Sequence, residues 1–182
     1  MIFFIRHGQT DDNLNQIYTG QKDVPLNQNG IAQAKSTAEE LKDTKIDICF
    51  CSPLLRAKQT CEEIVKYHKN LRVIYDDRLK ERDYGNLVGL PVDTINYNRW
   101  QVINDKRTQK EYNAETIMSV FERLSSFYDE ILPKYKNKNI LVVAHSGVGR
   151  ISSAYFNGMP EDMDFSTIKI KNASVIQFNH KK

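Results

Sequence analysis

Two short apolar runs constrain this chain more than any other feature. Ile2-Phe3-Phe4-Ile5 and Ile140-Leu141-Val142-Val143-Ala144 are bulky and uninterrupted, and each breaks off abruptly into polar residues, Arg6-His7-Gly8 and His145-Ser146-Gly147. Runs of that length read as strands buried on both faces, which in turn need helices above and below the sheet. The carboxyl ends of such strands open into the ligand crevice of an α/β sheet, so Arg6, His7 and His145 stand at its mouth.

The remaining pattern fills in the layers. After a polar loop from Leu14 to Leu26 that carries Tyr18-Thr19-Gly20, Asn27-Gln28-Asn29-Gly30 opens a helix to about Lys42, with Ile31, Ala34, Ala38 and Leu41 at helical spacing. Ile46 to Cys51 reads as a second buried strand. Ser52-Pro53 then reads as N-cap and first helical residue of a helix to about Tyr67, which puts Arg56 in its first turn beside free amides. Leu71 to Tyr75 is a third strand, and Asp76 to Leu90 is a loop rich in Arg78, Glu81, Arg82 and Tyr84. A short helix is expected over Val92 to Ile103, as a lid or as packing, and a long amphipathic helix over Glu115 to Tyr135. Gly147 to Phe156 opens a last helix that carries Arg150, and Thr167 to Lys171 with Ser174 to Asn179 read as two closing strands. Strands alternating with helices imply a three-layer α/β/α sandwich on a mostly parallel, mixed sheet. At 182 residues with no repeat or linker, a single domain over residues 1–182 is expected.

Charge and cysteine content narrow the setting. A net charge of +3, spread along the chain apart from the segment Asp105 to Lys110 and the tail His180-Lys181-Lys182, gives no basis for a nucleic-acid or membrane partner. The first strand begins at residue 2 without a basic leader or long hydrophobic stretch, so a cytoplasmic location is expected. Cys49, Cys51 and Cys61 lack zinc-ligand spacing and read as reduced, buried thiols. Asn172-Ala173-Ser174 matches a glycosylation sequon that carries no meaning in that compartment, and His68 reads as a solvated residue at a helix end.

Arg beside His at a strand end suits a phosphorylated substrate. The guanidinium fork fits phosphate oxygens and stays charged at any working pH. An imidazole attacks phosphorus with one nitrogen only if the other keeps its proton, and Gly8 allows the backbone to turn back and supply a carbonyl for it.

Four ordered stretches carry a resemblance: Phe4-Ile5-Arg6-His7-Gly8-Gln9-Thr10 with Asn13; Cys51-Ser52-Pro53-Leu54-Leu55-Arg56-Ala57-Lys58-Gln59-Thr60; Leu79-Lys80-Glu81-Arg82-Asp83-Tyr84-Gly85; and Val142-Val143-Ala144-His145-Ser146-Gly147. Together they resemble the histidine phosphatase superfamily, also called the phosphoglycerate-mutase-like family. The resemblance implies that His7 takes the phosphoryl group, that Arg6, Arg56 and His145 hold its oxygens, and that Glu81 protonates the leaving oxygen. It further implies neutral donors at Asn13 and at the backbone of Ser146, and contacts to the rest of the substrate from Thr19, Gly20, Arg82 and Tyr84. Ser146 stands where the family often has glycine, which bears on how closely the backbone can approach. The family's cofactor-dependent mutases carry a lysine soon after the loop acid and an adjacent Arg-Arg pair; Val92 occupies the first position here and no Arg-Arg pair exists. The implied activity is therefore a phosphatase acting on a small phosphorylated metabolite of the α-ribazole-phosphate or sugar-phosphate type. Phosphoglycerate mutase and a non-catalytic phospho-ligand binding module are the alternatives. No metal or other cofactor is implied, since cations already supply the charge, and a monomer or homodimer is expected.

Overall fold

A computed structural model describes residues 1–179; His180 and the two lysines after it lie outside the described residues. In chain order the elements are β1 (Ile2–Arg6), α1 (Asp11–Leu14), α2 (Gln28–Leu41), β2 (Ile48–Cys51), α3 (Leu55–Val65), β3 (Val73–Tyr75), α4 (Asp105–Tyr112), α5 (Ile117–Lys134), β4 (Ile140–Ala144), α6 (Ser146–Asn157) and β5 (Val175–Phe178). The sheet order is β3-β2-β4-β1-β5. Every pairing is parallel except that of β5 with β1. This is the mixed, mostly parallel α/β sheet the strand pattern implies.

Alternation along each strand sorts the core into two layers. Phe4, Phe50 and Val142 face α5 and α6, whose Leu124, Phe127, Val148 and Ile151 are fully buried against them. Phe3, Ile5, Cys49, Cys51, Leu141 and Val143 face α2 and α3 through Ala38, Leu41, Ala57 and Ile64. Helices therefore cover both faces, which explains why β1 and β4 carry no polar residue before their ends. Cys49, Cys51 and Cys61 are free and buried in the second layer, with the Cys49 and Cys61 sulfurs 3.5 Å apart. No helix among the described residues is long and apolar enough to cross a membrane.

Several boundaries differ from the sequence reading, each for a physical reason. Helix α3 starts at Leu55 instead of Pro53, because the Ser52 hydroxyl binds His145 and the Leu55 amide donates to Asp23 Oδ1 at 2.6 Å, a cap from a distant loop. The strands expected from Ile46 and Leu71 begin two residues later, at Ile48 and Val73. Val92 to Ile103 is not a helix. The Asn98 side chain accepts from the Trp100 amide and donates to Asp164, and this turn chemistry replaces a regular element until the 3₁₀ turn Val102–Asn104. The polar helix α4, which has no apolar stripe to announce it, follows directly and ends on Asn113 at φ 54°. Thr167 to Lys171 forms no strand: Phe165–Thr167 is a 3₁₀ turn, and the Ile170 carbonyl accepts from Arg6 Nη1. His68 is half-buried instead of solvated, and burial lowers its pKa.

Candidate active site

Strand order creates the site. β4 lies between β1 and β2, so three carboxyl ends stand side by side: the His7 amide donates to the Ala144 carbonyl at 2.9 Å and the Ser52 amide to the Val143 carbonyl at 2.9 Å. His7 and His145, 138 residues apart in sequence, thereby meet with ring centroids 5.1 Å apart in an edge arrangement.

Two partners fix the state of His7. Its Nδ1 lies 2.6 Å from the Gly8 carbonyl, which can only accept, while Arg56 Nε–H, which can only donate, lies 3.2 Å from Nε2. Both contacts require the same neutral tautomer, with the proton on Nδ1 and a lone pair on Nε2. Burial, and next the Arg56 and Arg6 charges, hold its pKa well below 6.5, so the ring is neutral at physiological pH. The need for glycine at position 8 has another origin than a turn. A Cβ there would sit 2.3 Å from the Gly30 carbonyl oxygen, because the first turn of α2 packs directly on the loop after β1.

His145 is fully buried and also held neutral, chiefly by burial and then by Arg56. Its Nε2 meets the Ser52 hydroxyl at 2.7 Å, and Nδ1 has no partner. The Ser52 hydroxyl, which accepts the Leu54 amide at 3.4 Å, can donate its proton to His145 Nε2, and in that tautomer Nδ1 carries a proton that can be offered to an anion.

The arginines are pinned by carbonyls. Arg56 donates to the Lys22 and Gly20 carbonyls, and Arg6 to that of Ile170. Burial, the main cause, lowers the Arg6 pKa to about 10, which leaves it charged at neutral pH. Glu81 accepts the Arg82 amide on Oε1 at 2.8 Å and the Gly147 amide on Oε2 at 3.1 Å. A Cβ at Gly147 would lie 2.3 Å from Glu81 Oε1 and 2.7 Å from the Trp100 ring, so a side chain there would push the carboxylate out of its position.

These groups share one cavity of about 360 Å³, at the small-metabolite end of ligand pockets. It is lined by Arg6, His7, Asn13, Thr19, Gly20, Arg56, Glu81, Tyr84 and Ser146, with His145 directly behind His7. Thr19 Oγ1 is buried there without a partner. Ser146 opens α6, so its amide is among those a helix leaves unbonded. The pocket face of Gly20 is secondary to its carbonyl, which anchors Arg56. Burial raises the Tyr84 phenol to about 12, so it remains a neutral wall.

Arg82 is the exception among the expected site residues. It is fully buried away from the cavity, where it donates to the Glu115 and Arg99 carbonyls and pairs with Asp105 at 3.3 Å. Its charge ties three segments together and lies outside the lining of the cavity. Conversely, Arg99, Trp100, Arg150 and Asn172 line the cavity without having been singled out as site residues. Asn172, read from the sequence as an idle sequon, donates to the His7 carbonyl at 3.0 Å and to Asn13 Oδ1 at 3.2 Å. Among the described residues no three His, Cys, Asp or Glu side chains converge as a metal-binding group.

The family model of the histidine phosphatase superfamily, branch 1, matches residues 2–182. The chain belongs to that superfamily. Over its whole length this histidine phosphatase is 35% identical to an uncharacterized phosphatase, PhoE, of Bacillus subtilis (strain 168), covering 90% of it. It is 31% identical to a phosphoglycerate mutase of Schizosaccharomyces pombe, over 89% of this chain and 82% of that one. The solved structure of a mycobacterial glucosyl-3-phosphoglycerate phosphatase superposes with a TM-score of 0.79 at 25% identity, covering 96% of this histidine phosphatase and 88% of that chain.

Proposed function

We propose that this chain is a cytoplasmic phosphatase that hydrolyses a small phosphomonoester metabolite, in the class of α-ribazole phosphate and sugar phosphates, through a phosphohistidine on His7. The observation that carries the reading is the single tautomer of His7: the proton is held on Nδ1 by Gly8, and the Nε2 lone pair is turned toward Arg56. Buried unpaired thiols fit a reducing compartment.

When a phosphate oxygen takes over the Arg56 Nε–H donor, His7 Nε2 is freed to attack phosphorus as the bond to the leaving oxygen breaks, and Glu81 gives that oxygen a proton. Water then attacks phosphorus as the phosphorus–nitrogen bond breaks, Glu81 takes the water's proton, and inorganic phosphate leaves with the electron pair back on His7 Nε2 and the ring again neutral. Charge on the equatorial oxygens develops against fixed donors: the Arg6 and Arg56 guanidiniums, His145 Nδ1–H in the tautomer that Ser52 supports, Asn13, Thr19 and the Ser146 amide. Tyr84 contributes an uncharged wall.

The mutase reading has one observation in its favour, the extra cations Arg99 and Arg150 in the cavity, which could retain a second anionic group of a substrate. The test is phosphate release from an aryl phosphate with and without EDTA, with protein quenched in alkaline detergent probed for acid-labile, alkali-stable phosphate. Release that survives EDTA, a phosphoenzyme, and loss of both in folded His7→Ala are expected. A folded native protein that releases no phosphate, or His7→Ala protein that still traps it, overturns the reading.

A further inference from the structure

Asn172 borders the cavity yet offers a ligand no donor. Its Nδ2 carries two hydrogens and both are spent, one on the His7 carbonyl at 3.0 Å and the other on Asn13 Oδ1 at 3.2 Å. The second contact reaches one of the neutral donors to the phosphoryl oxygens. An asparagine serves in that role with its NH2 alone, since its carbonyl oxygen would repel the anion.

Two backbone groups decide which way these amides face. The His7 carbonyl can only accept, so the NH2 of Asn172 must be turned to it; the Thr10 amide can only donate, so Asn13 Oδ1 must be turned to Thr10, at 3.3 Å. With Oδ1 held by Thr10 and Asn172, Asn13 Nδ2 is left without a partner among the described residues and free for the cavity that Asn13 lines. At its length the Thr10 contact alone is weak. Without Asn172, the charged donors of Arg6 and Arg56 in the same cavity compete for the Asn13 oxygen, and an amide turned that way opposes a phosphate.

The anchor of Asn172 is itself held. At the other end of the His7–Gly8 peptide, the Gly8 amide donates to the buried Thr60 hydroxyl at 3.0 Å, which in turn donates to the Arg56 carbonyl at 2.8 Å. Ala173, next to Asn172, sits at φ 54°, the left-handed region that a Cβ disfavours. Its amide donates to the Arg6 carbonyl at 2.9 Å, and its carbonyl accepts the Thr37 hydroxyl at 2.7 Å. Such a conformation persists where contacts on both sides over-determine it, and here it turns Asn172 onto the end of β1.

Resting on the phosphatase reading above, we propose that Asn172 is a positioning residue: it locks the Asn13 side chain with its NH2 toward the phosphoryl group, and acts on the ligand only through Asn13.

The test is a double-mutant cycle over the native protein, Asn13→Ala, Asn172→Ala and the double variant, read as the Kd of orthovanadate by calorimetry and as kcat/KM for an aryl phosphate. Asn172→Ala is expected to weaken vanadate binding and to lower kcat/KM about tenfold each, within the worth of one hydrogen bond to a charged group. In the Asn13→Ala background the same substitution should cost less than about twofold. Asn172→Leu, close to asparagine in size but without a donor, should match Asn172→Ala, which separates the amide from its bulk. Effects that multiply in the double variant, or native vanadate affinity in either single Asn172 variant, overturn the inference. In the native protein the Asn13 side-chain NH2 resonances should shift when vanadate binds; unshifted resonances overturn the inference even where the variants fail to fold. Calorimetry needs no turnover, so absent aryl phosphate release removes the phosphatase reading while the cycle still decides the role of Asn172.

Discussion

Glu81 shows how a residue's role depends on which of its lone pairs are already taken. Each carboxylate oxygen accepts one backbone amide, from Arg82 and from Gly147, so the group is aimed before any ligand arrives. In Glu81→Gln the side-chain NH2 must face one of those amides, so about 1 kcal/mol of stability is expected to be lost in urea titrations. Turnover of an alkyl phosphate, whose leaving oxygen needs the proton, should fall by about a hundredfold to ten-thousandfold, and that of an aryl phosphate much less. Equal losses for both substrates in steady-state assays would assign Glu81 to positioning alone.

At the scale of elements, Arg82 joins the loop after β3 to the Arg99 segment, to the start of α4 at Asp105 and to the turn before α5 at Glu115. Asp105 in turn accepts the Ile117 amide at the first turn of α5. Removing the guanidinium strands Asp105 in a buried position, and breaking a buried pair from one side costs about 3–5 kcal/mol. Arg82→Met should therefore show a large drop in the denaturation midpoint. A variant of native stability with a raised KM for every substrate would return Arg82 to the ligand-contacting set.

Over the whole molecule, His7 and His145 make stability depend on pH. Both are held neutral with pKa values well below 6.5, first by burial. Between that unfolded value and the lower folded ones, the unfolded chain binds protons that the folded chain refuses. Stability is thus full above about pH 6.5 and declines as pH falls, by about 1.4 kcal/mol per pH unit for each histidine. Melting temperatures measured from about pH 7.5 down to 5.5 should fall, and His7→Gln or His145→Gln should each remove about half of the slope. A flat profile in the native protein would mean that both rings protonate in the folded state with ordinary pKa values, and half the slope that one of them does.

Local sequence determined what periodicity and motif can encode. The runs ending at Arg6 and Ala144 specified doubly covered strands, because bulky apolar residues on both faces admit no solvent side. The stretches around His7, Arg56, Glu81 and His145 specified the chemistry, and all four residues lie in or directly against one cavity. Tertiary structure alone decided what depends on contacts between distant segments. Arg82 carries the same local signal as a site residue, yet Asp105 and two carbonyls from elsewhere in the chain turn it inward. Arg99, Arg150 and Asn172 carry no signal, and become cavity walls only because the irregular segment after Pro91, the first turns of α6 and the turn before β5 converge on the end of β1. The cap of α3 follows the same logic: Ser52 looked like the local choice, but the adjacency of β2 and β4 gave its hydroxyl to His145 and left the helix to Asp23.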